Sequence, residues 1–554
     1  MVLSGLHSKC FWLFCSLSLL CVAPAYGVAT PNTLGQFDVR DYNVPANNTG
    51  NACTGIQLAI DDAALWVAES AAAGSATVRM QAGRYLCTSS LTLPGGIRLL
   101  GDFNTYQIGD FSTTAGTRTK GTYFYVNVGA GTNPFNGQGA TPPFEAVPGT
   151  DSAAVSPFIS ITGDAAGTDT SQRGGATIEG IAFYYPNQVL TSPPTVYPAT
   201  VAFTGGANPQ GLTLRNVAFI NSYVAADFNG IEEVEVDGVG GAPLAMGFRI
   251  RSQFTQSSYR NIYWHSAYWD NMVDQAEGTS DTATITTNSV GPVTRAREGC
   301  AGFTPNNVRS WRKCNFIGLM VHRVDGGTFE GIRMFEGKWG IYLSNFQQGN
   351  IGWTTWSTLD IDGMMEPLHV ESVGIATFTS FSFTATSLLG DPNTEMWGAR
   401  INVTGAALAQ NAKISFVNGF IGSKGQGVFV DLPGDATHET FFGMERVGFR
   451  NVGIDMTDAD AGAANIKNAY MVDLNAVQQF SIVGSGIEGS LDKAYSVRDG
   501  IIYAGTLGVD AGGSIIGNTF RGINRALQST VGSNLTFQGN RIDTAAVAGS
   551  GVDA

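Results

Sequence analysis

Histidine is scarce, with five residues in 554, and the five are scattered. No Cys-x-x-Cys pair and no His/Cys cluster accompanies them. The ligand spacing of a zinc site is therefore missing, so neither a metal nor a cofactor is expected on the protein's own ligands. Charge is scarce as well: Asp, Glu, Lys and Arg together make up 14% of the chain, against about a quarter in ordinary soluble domains. What charge there is leans acidic, with a formal net value of −14. Nucleic acid and anionic membrane surfaces are disfavoured as partners, because both must be met by clustered Lys and Arg. A strongly polyanionic glycan is disfavoured on the same ground, unless a local basic groove exists. Long amphipathic patterns are lacking apart from one near the start, and no βαβ alternation is visible, which argues against helical and doubly wound folds.

Past residue 27 no apolar run is long enough to cross a bilayer, which takes about 20 residues. The N-terminus is different. Lys9 precedes the apolar run "CFWLFCSLSLLCVA", and small residues follow at Ala23, Ala25 and Gly27. Charge, apolar core and small-residue site in that order read as a secretory signal peptide over 1–27, which predicts a secreted protein with no membrane contact after cleavage. Four cysteines then remain, Cys53, Cys87, Cys300 and Cys314. An even number in an exported chain favours disulfides; Cys53–Cys87 with Cys300–Cys314 is one of three connectivities.

Glycine is abundant, at 71 residues, without a collagen period. Its placement is repetitive. A Gly, Asn or Arg anchor with a large apolar residue three positions later recurs in "IEGIAF" (Gly180), "LRNVAF" (Asn216), "YRNIYW" (Asn261), "FEGIRM" (Gly331), "MERVGF" (Arg446), "IVGSGI" (Gly484), "IIGNTF" (Gly517) and "FQGNRI" (Gly539). Many are followed by a second short strand such as "GFRI" or "GIYL". Short strands at a loose period above about 20 residues describe a solenoid, and a parallel β-helix explains them best.

The segment "FDVRDYNVPANNTGNACTGIQLAIDDAA" (37–64), followed by "ATVRMQAGRYLCTSSLTLPGGIRLLGD", resembles the opening module of the pectate-lyase-like superfamily. The likeness lies in an opening strand, a capping helix over "TGIQLAIDDAALWVAESAA", a turn at Gly83-Arg84-Tyr85 and an "LxLPxGIxLxG" run. It implies an all-β, right-handed parallel β-helix with an N-terminal capping helix and loop insertions. The expected organisation is an opening module over 28–101, a β-helix over 102–545 with insertions near 102–157 and 276–310, and a tail over 546–554. The resemblance implies a polysaccharide or oligosaccharide partner by analogy only. The polygalacturonase marks and the pectate-lyase arginine-proline motif are absent, so neither reaction carries over. Homo-oligomerisation through a coil face is compatible with such a fold, and no motif specifies it.

Glycoside cleavage needs one protonated and one ionised carboxyl across the scissile bond. Carboxylates gather mid-chain: Asp270, Asp274, Asp325, Glu330, Glu336, Asp360, Asp362 and Glu366. The triplet Phe-Glu-Gly occurs twice in "TFEGIRMFEGKWGIYL", yet strand alternation makes the two glutamates inequivalent. Glu330 belongs to an outward column with Glu179, Arg215, Asp237, Arg260 and Glu445, for which a charge ladder is the plainer role. Glu336 falls at a turn. Glu336 and Asp325 head the catalytic candidates, followed by Asp270 and Glu330. For each taken singly, a solvated or paired turn carboxylate is the commoner role. Trp269, Trp339, His265, Arg260 and Tyr342 are the candidate substrate contacts, since sugar rings stack on aromatic faces. The first reading is a secreted glycoside hydrolase. The second is a lyase or epimerase on a uronic-acid glycan, and the third a glycan-binding surface or spike protein without catalysis.

Overall fold

The computed structural model describes residues 35–69, 74–103, 121–136, 139, 141–142, 144, 153–163, 175–189, 192–205, 210–251, 253, 256–265, 308–345, 351–385, 397–403, 411–423, 426–433, 437–451, 470–489, 497–503, 512–529, 534–543 and 551–553. Every pairing between its strands is parallel, and each strand pairs with its counterpart one coil away. The fold is a right-handed parallel β-helix, the hand that parallel crossovers adopt. Its opening is a helix, Cys53–Glu69, which buries Ile56, Ala59, Ile60 and Ala63 over the first coils. The disulfide Cys53–Cys87 pins that helix to the strand Gly83–Cys87. Cys314 is disulfide-bonded too, and Cys300 lies outside the described residues.

Each coil has three strand arms, and the anchors mark the first corner. Asn216, Asn261, Gly331, Arg446, Gly484, Gly517 and Gly539 all have φ between 50° and 66°. One left-handed residue bends the chain from the first sheet into the second without breaking the pairing on either side: Glu330 pairs with Ser357 and Ile332 with Leu359 across the corner. Glycine and asparagine tolerate that conformation at least cost. Thr358, Ser380 and Asn418 occupy the same corner; Thr358 and Ser380 have side chains that the anchor does not lead one to seek, whereas Asn418, with Ile421 three positions later, fits the repeat.

The apolar residue three beyond the anchor is a core column. Phe183, Phe219 and Trp264 are fully buried, and Phe183 stacks on Phe219 with centroids 5.4 Å apart. A second aromatic ladder fills the first sheet's inner face: Tyr259, Phe329, Trp356, Phe378 and Phe416 stack coil upon coil, the Phe329 and Trp356 centroids 3.7 Å apart and 5° from parallel. The coils also reach into two segments expected to stand outside them. The strand Thr122–Val126 pairs with Gly83–Cys87, inside the expected 102–157 insertion, and Gly551–Asp553 pairs with the strand Ile523–Ser529, inside the expected tail. A short helix, Val308–Asn315, follows the other expected insertion; its sequence, "VRSWRKCN", is too short and too basic to announce itself.

Candidate active site

The strands Gly327–Leu343 and Trp353–Val370 each run through all three arms of one coil, and they carry the chemistry-bearing side chains. In the second arm Ile332, Met334, Leu359 and Ile361 point into the core. Alternation therefore turns Arg333, Phe335, Asp360 and Asp362 outward. The preceding coil adds Tyr263 and His265, since Tyr263 pairs with Arg333 and Arg333 with Asp360. The His265 ring stacks on Phe335 at 5.0 Å, and Tyr263 lies 5.4 Å from His265. A continuous ring surface thus borders two outward carboxyls on one strand. Two strand steps of about 3.3 Å set those carboxyls roughly 7 Å apart, inside the roughly 6.5–9.5 Å separation of an inverting glycosidase. Burial raises the Asp362 pKa, and repulsion from Asp360 and Glu336 adds to it against one backbone N–H bond from Gly363.

Glu336 is held by basic partners that the sequence did not announce. It occupies the second corner with φ 59°, where other coils place Asn221, Gly363 and Gly522. Its carboxylate accepts from Arg309 Nε at 3.1 Å and from Arg309 Nη2 at 2.5 Å, and Lys313 Nζ lies 4.0 Å away. Arg312, fully buried, donates to the Phe335 carbonyl at 3.0 Å and to the Glu336 carbonyl. Burial alone would raise the Glu336 pKa, but Arg309, Lys313 and Arg312 bring it below the ordinary range. The same burial drives the Arg312 pKa down to about 9. Glu336 is a locked anion that ties the helix to the corner, and a locked anion is no proton donor. Because the corner strains any residue with a Cβ, Glu336→Gly is expected to be more stable than Glu336→Ala by about 1 kcal/mol, although both lose the carboxylate. Urea unfolding of the two variants measures that difference.

The third arm holds a sealed cluster. His369 Nδ1 contacts Glu366 Oε2 at 2.5 Å and His369 Nε2 faces Glu371 Oε1 at 3.4 Å. Tyr342 donates to Glu371 Oε2 at 2.7 Å, and Arg400 Nη1 lies 3.8 Å from Glu366. Trp339 stacks flat on His369 at 4.4 Å, with Lys338 Nζ 3.9 Å above the indole. Glu366, His369 and Tyr342 are buried, while the Glu371 side chain keeps 28% of its surface. Burial opposes ionisation of all three charged groups. Their mutual attraction overcomes it, raising the His369 pKa and lowering those of Glu366 and Glu371. All three shifts favour the charged forms.

Of the catalytic candidates, Asp325 and Glu336 are not brought together: Asp325 is exposed at the turn before Gly327, beyond the opposite end of the two arms that lead to Glu336. Glu330 stands in the outward column, register-paired with Arg260, and Arg260 is tied to Glu235 at 3.3 Å. The register lines up Arg215, Asp237, Arg260 and Glu330 in that column, with Arg215 and Arg260 both bonded to Glu235 beside it, so Arg260 and Glu330 face away from the second-sheet carboxyls. Asp270 and Trp269 lie outside the described residues. Among the aromatic candidates, His265 stacks on Phe335, the register partner of Asp362, whereas Trp339 and Tyr342 belong to the third-arm cluster. Asp360 and Asp362 were visible as "LDIDG" but gave no sign of their unequal surroundings. His369, Glu371 and Arg400 were missed; the coil register is what brings Tyr342 and Arg400 to the His369 column.

No protein-family model matches the chain, and no curated protein matches it. Solved structures that align with it include the A-module of the Azotobacter vinelandii mannuronan C-5 epimerase AlgE6, at 12% identity and TM-score 0.35, covering 92% of this chain and 99% of that one. The Streptococcus pneumoniae surface adhesin PfbA aligns at 10% identity and TM-score 0.40, over 92% and 94% of the two chains. The catalytic unit of a GH87 α-1,3-glucanase from Streptomyces thermodiastaticus aligns at 10% and 0.39, over 95% and 71%. The strand pairing of this chain, rather than any of these likenesses, defines its fold.

Proposed function

We propose that the protein is an exported, inverting glycoside hydrolase with its centre on the outward face of the second sheet. The observation that carries this reading is the pair Asp360 and Asp362, roughly 7 Å apart on one strand face, of which Asp362 is the one held toward its protonated form. Asp362 gives its proton to the glycosidic oxygen as that bond to the anomeric carbon breaks. Asp360 takes a proton from a water that attacks the anomeric carbon from the other face, so one water is added per cut and configuration inverts. The His265–Phe335 stack and Tyr263 supply the ring surface on which a pyranose lies.

Product analysis on a panel of neutral and uronic polysaccharides tests the reading. A mass gain of one water per cut, with the anomer opposite to that of the substrate forming first, supports it. Retained configuration contradicts it. A second reading, a lyase or epimerase on a uronic-acid glycan, is favoured by one observation: Tyr342, His369 and Arg400 stand in successive coils of one column of the third sheet. It predicts unsaturated products that absorb in the ultraviolet, or inverted sugars without cleavage.

A further inference from the structure

The first sheet's outer face bears two columns that the cleavage reading does not use. In one, Trp353 pairs with Ile375, Ile375 with Lys413 and Lys413 with Phe441. Trp353 is 75% exposed and Ile375 38%, which makes them the two largest apolar side chains so exposed on any described strand. Two residues along, the second column sets Thr355, Thr377, Ser415, Ser481, Ser514 and Thr536 in line, with Gly443 between Ser415 and Ser481. Hydroxyls thus recur at the strand spacing of about 4.8 Å. The glycine has a reason: a Cβ at Gly443 would stand 2.8 Å from the Phe441 ring. Without it, that ring reaches beside the hydroxyl line. Lys413 is the one charge in these two columns over the stretch from Trp353 to Thr536.

We infer that this face binds an extended, neutral polysaccharide chain, away from the carboxyls that cleave. A sugar polymer is a periodic array of hydroxyls with apolar C–H faces, and both columns answer it. Indole and phenyl rings take the C–H faces, while Ser and Thr hydroxyls donate to and accept from sugar hydroxyls; Ser514 already gives its proton to Ser481 at 3.1 Å and is left to accept. An anionic chain has only Lys413 to meet here. A second copy of this protein fits poorly, because a lasting dimer buries a broad apolar area and this face offers Trp353, Ile375 and Phe441 among hydroxyls and glycine. An exposed apolar strip of this kind marks a binding surface. The proposal goes beyond the cleavage reading and does not depend on it.

The test is co-sedimentation of the full chain with microcrystalline cellulose, chitin and insoluble α-glucan. The intact protein is expected to sediment with at least one of them. Trp353→Ala should weaken that binding about three- to tenfold, the scale of one aromatic contact. Thr377→Lys, which sets a long cation in the middle of the hydroxyl line, should abolish it. Neither change should alter cleavage of a soluble chain. Equal binding by the variants, or no binding by the intact protein, overturns the inference. So does a mass measurement in which the intact protein is a dimer and Thr377→Lys a monomer. Loss of binding in Trp353→Ala alongside normal turnover in Asp362→Asn would sink the cleavage reading and leave this one standing.

Discussion

Asp362→Asn is expected to lower turnover about 10²- to 10⁴-fold, the usual contribution of a positioned general acid, while the protein stays folded. The thermal melt separates the two effects by its sign. A carboxyl whose folded pKa lies above its unfolded value of 3.8 stabilises the fold only at low pH, and that contribution is lost as pH rises through the folded pKa. At neutral pH Asp362 therefore costs stability, and the Asn variant should melt at the same temperature or higher. A catalytic loss with unchanged or improved stability is the pattern of a strained functional group. The pH profile gives a second sign. Activity needs Asp362 protonated, so it should fall as pH rises through that pKa. Glu336→Gln removes one of the charges that keep the proton on Asp362, so the alkaline limb should move to lower pH. If Asp362→Asn turns over normally, the acid lies elsewhere and the second-sheet centre is wrong.

The fold was legible because its two periodic signals are local. An anchor every coil and an apolar residue three positions later are both read directly from the chain, and they proved to be the left-handed corner and a core column. The site was legible only in part. Strand alternation was enough to separate Glu330 from Glu336 and to place Glu330 in a ladder with Arg260. It could not show that Arg309 and Lys313 from a distant helix would neutralise Glu336. Nor could it show that Asp362 would be half-buried with Glu336 of the neighbouring coil close enough to raise its pKa. Trp339 illustrates the same limit. Next to a turn carboxylate it looked like a sugar platform, yet its indole is spent on His369. The aromatic that does stand open, Trp353, gave no sequence signal to distinguish it from Trp356, which is fully buried three residues later.

Replacing His369 is expected to cost the most stability of any change proposed for the third arm. The imidazole sits between Glu366 and Glu371, and Glu366 is only 4% exposed. His369→Gln removes the positive charge between two carboxylates and leaves Glu366 with Arg400 at 3.8 Å and Lys338 as its remaining cations. Removing one partner of a buried pair costs about 3–5 kcal/mol, whereas removing both costs far less. His369→Gln with Glu366→Gln should therefore be more stable than His369→Gln alone. The dependence on pH follows from the three shifts. His369 is raised above 6.5, so its contribution is complete below that pH and lost as pH rises through the folded value. Glu366 and Glu371 are lowered below 4.5, so theirs is complete above that pH and lost as pH falls through their folded values. The cluster should stabilise the fold most between those two bounds, and melting temperature should decline on both sides. In His369→Gln the alkaline decline should flatten while the acid one persists. An alkaline decline of unchanged steepness in that variant would mean that His369 is neutral in the folded protein and that the two carboxylates are held by Arg400, Lys338 and Tyr342 alone.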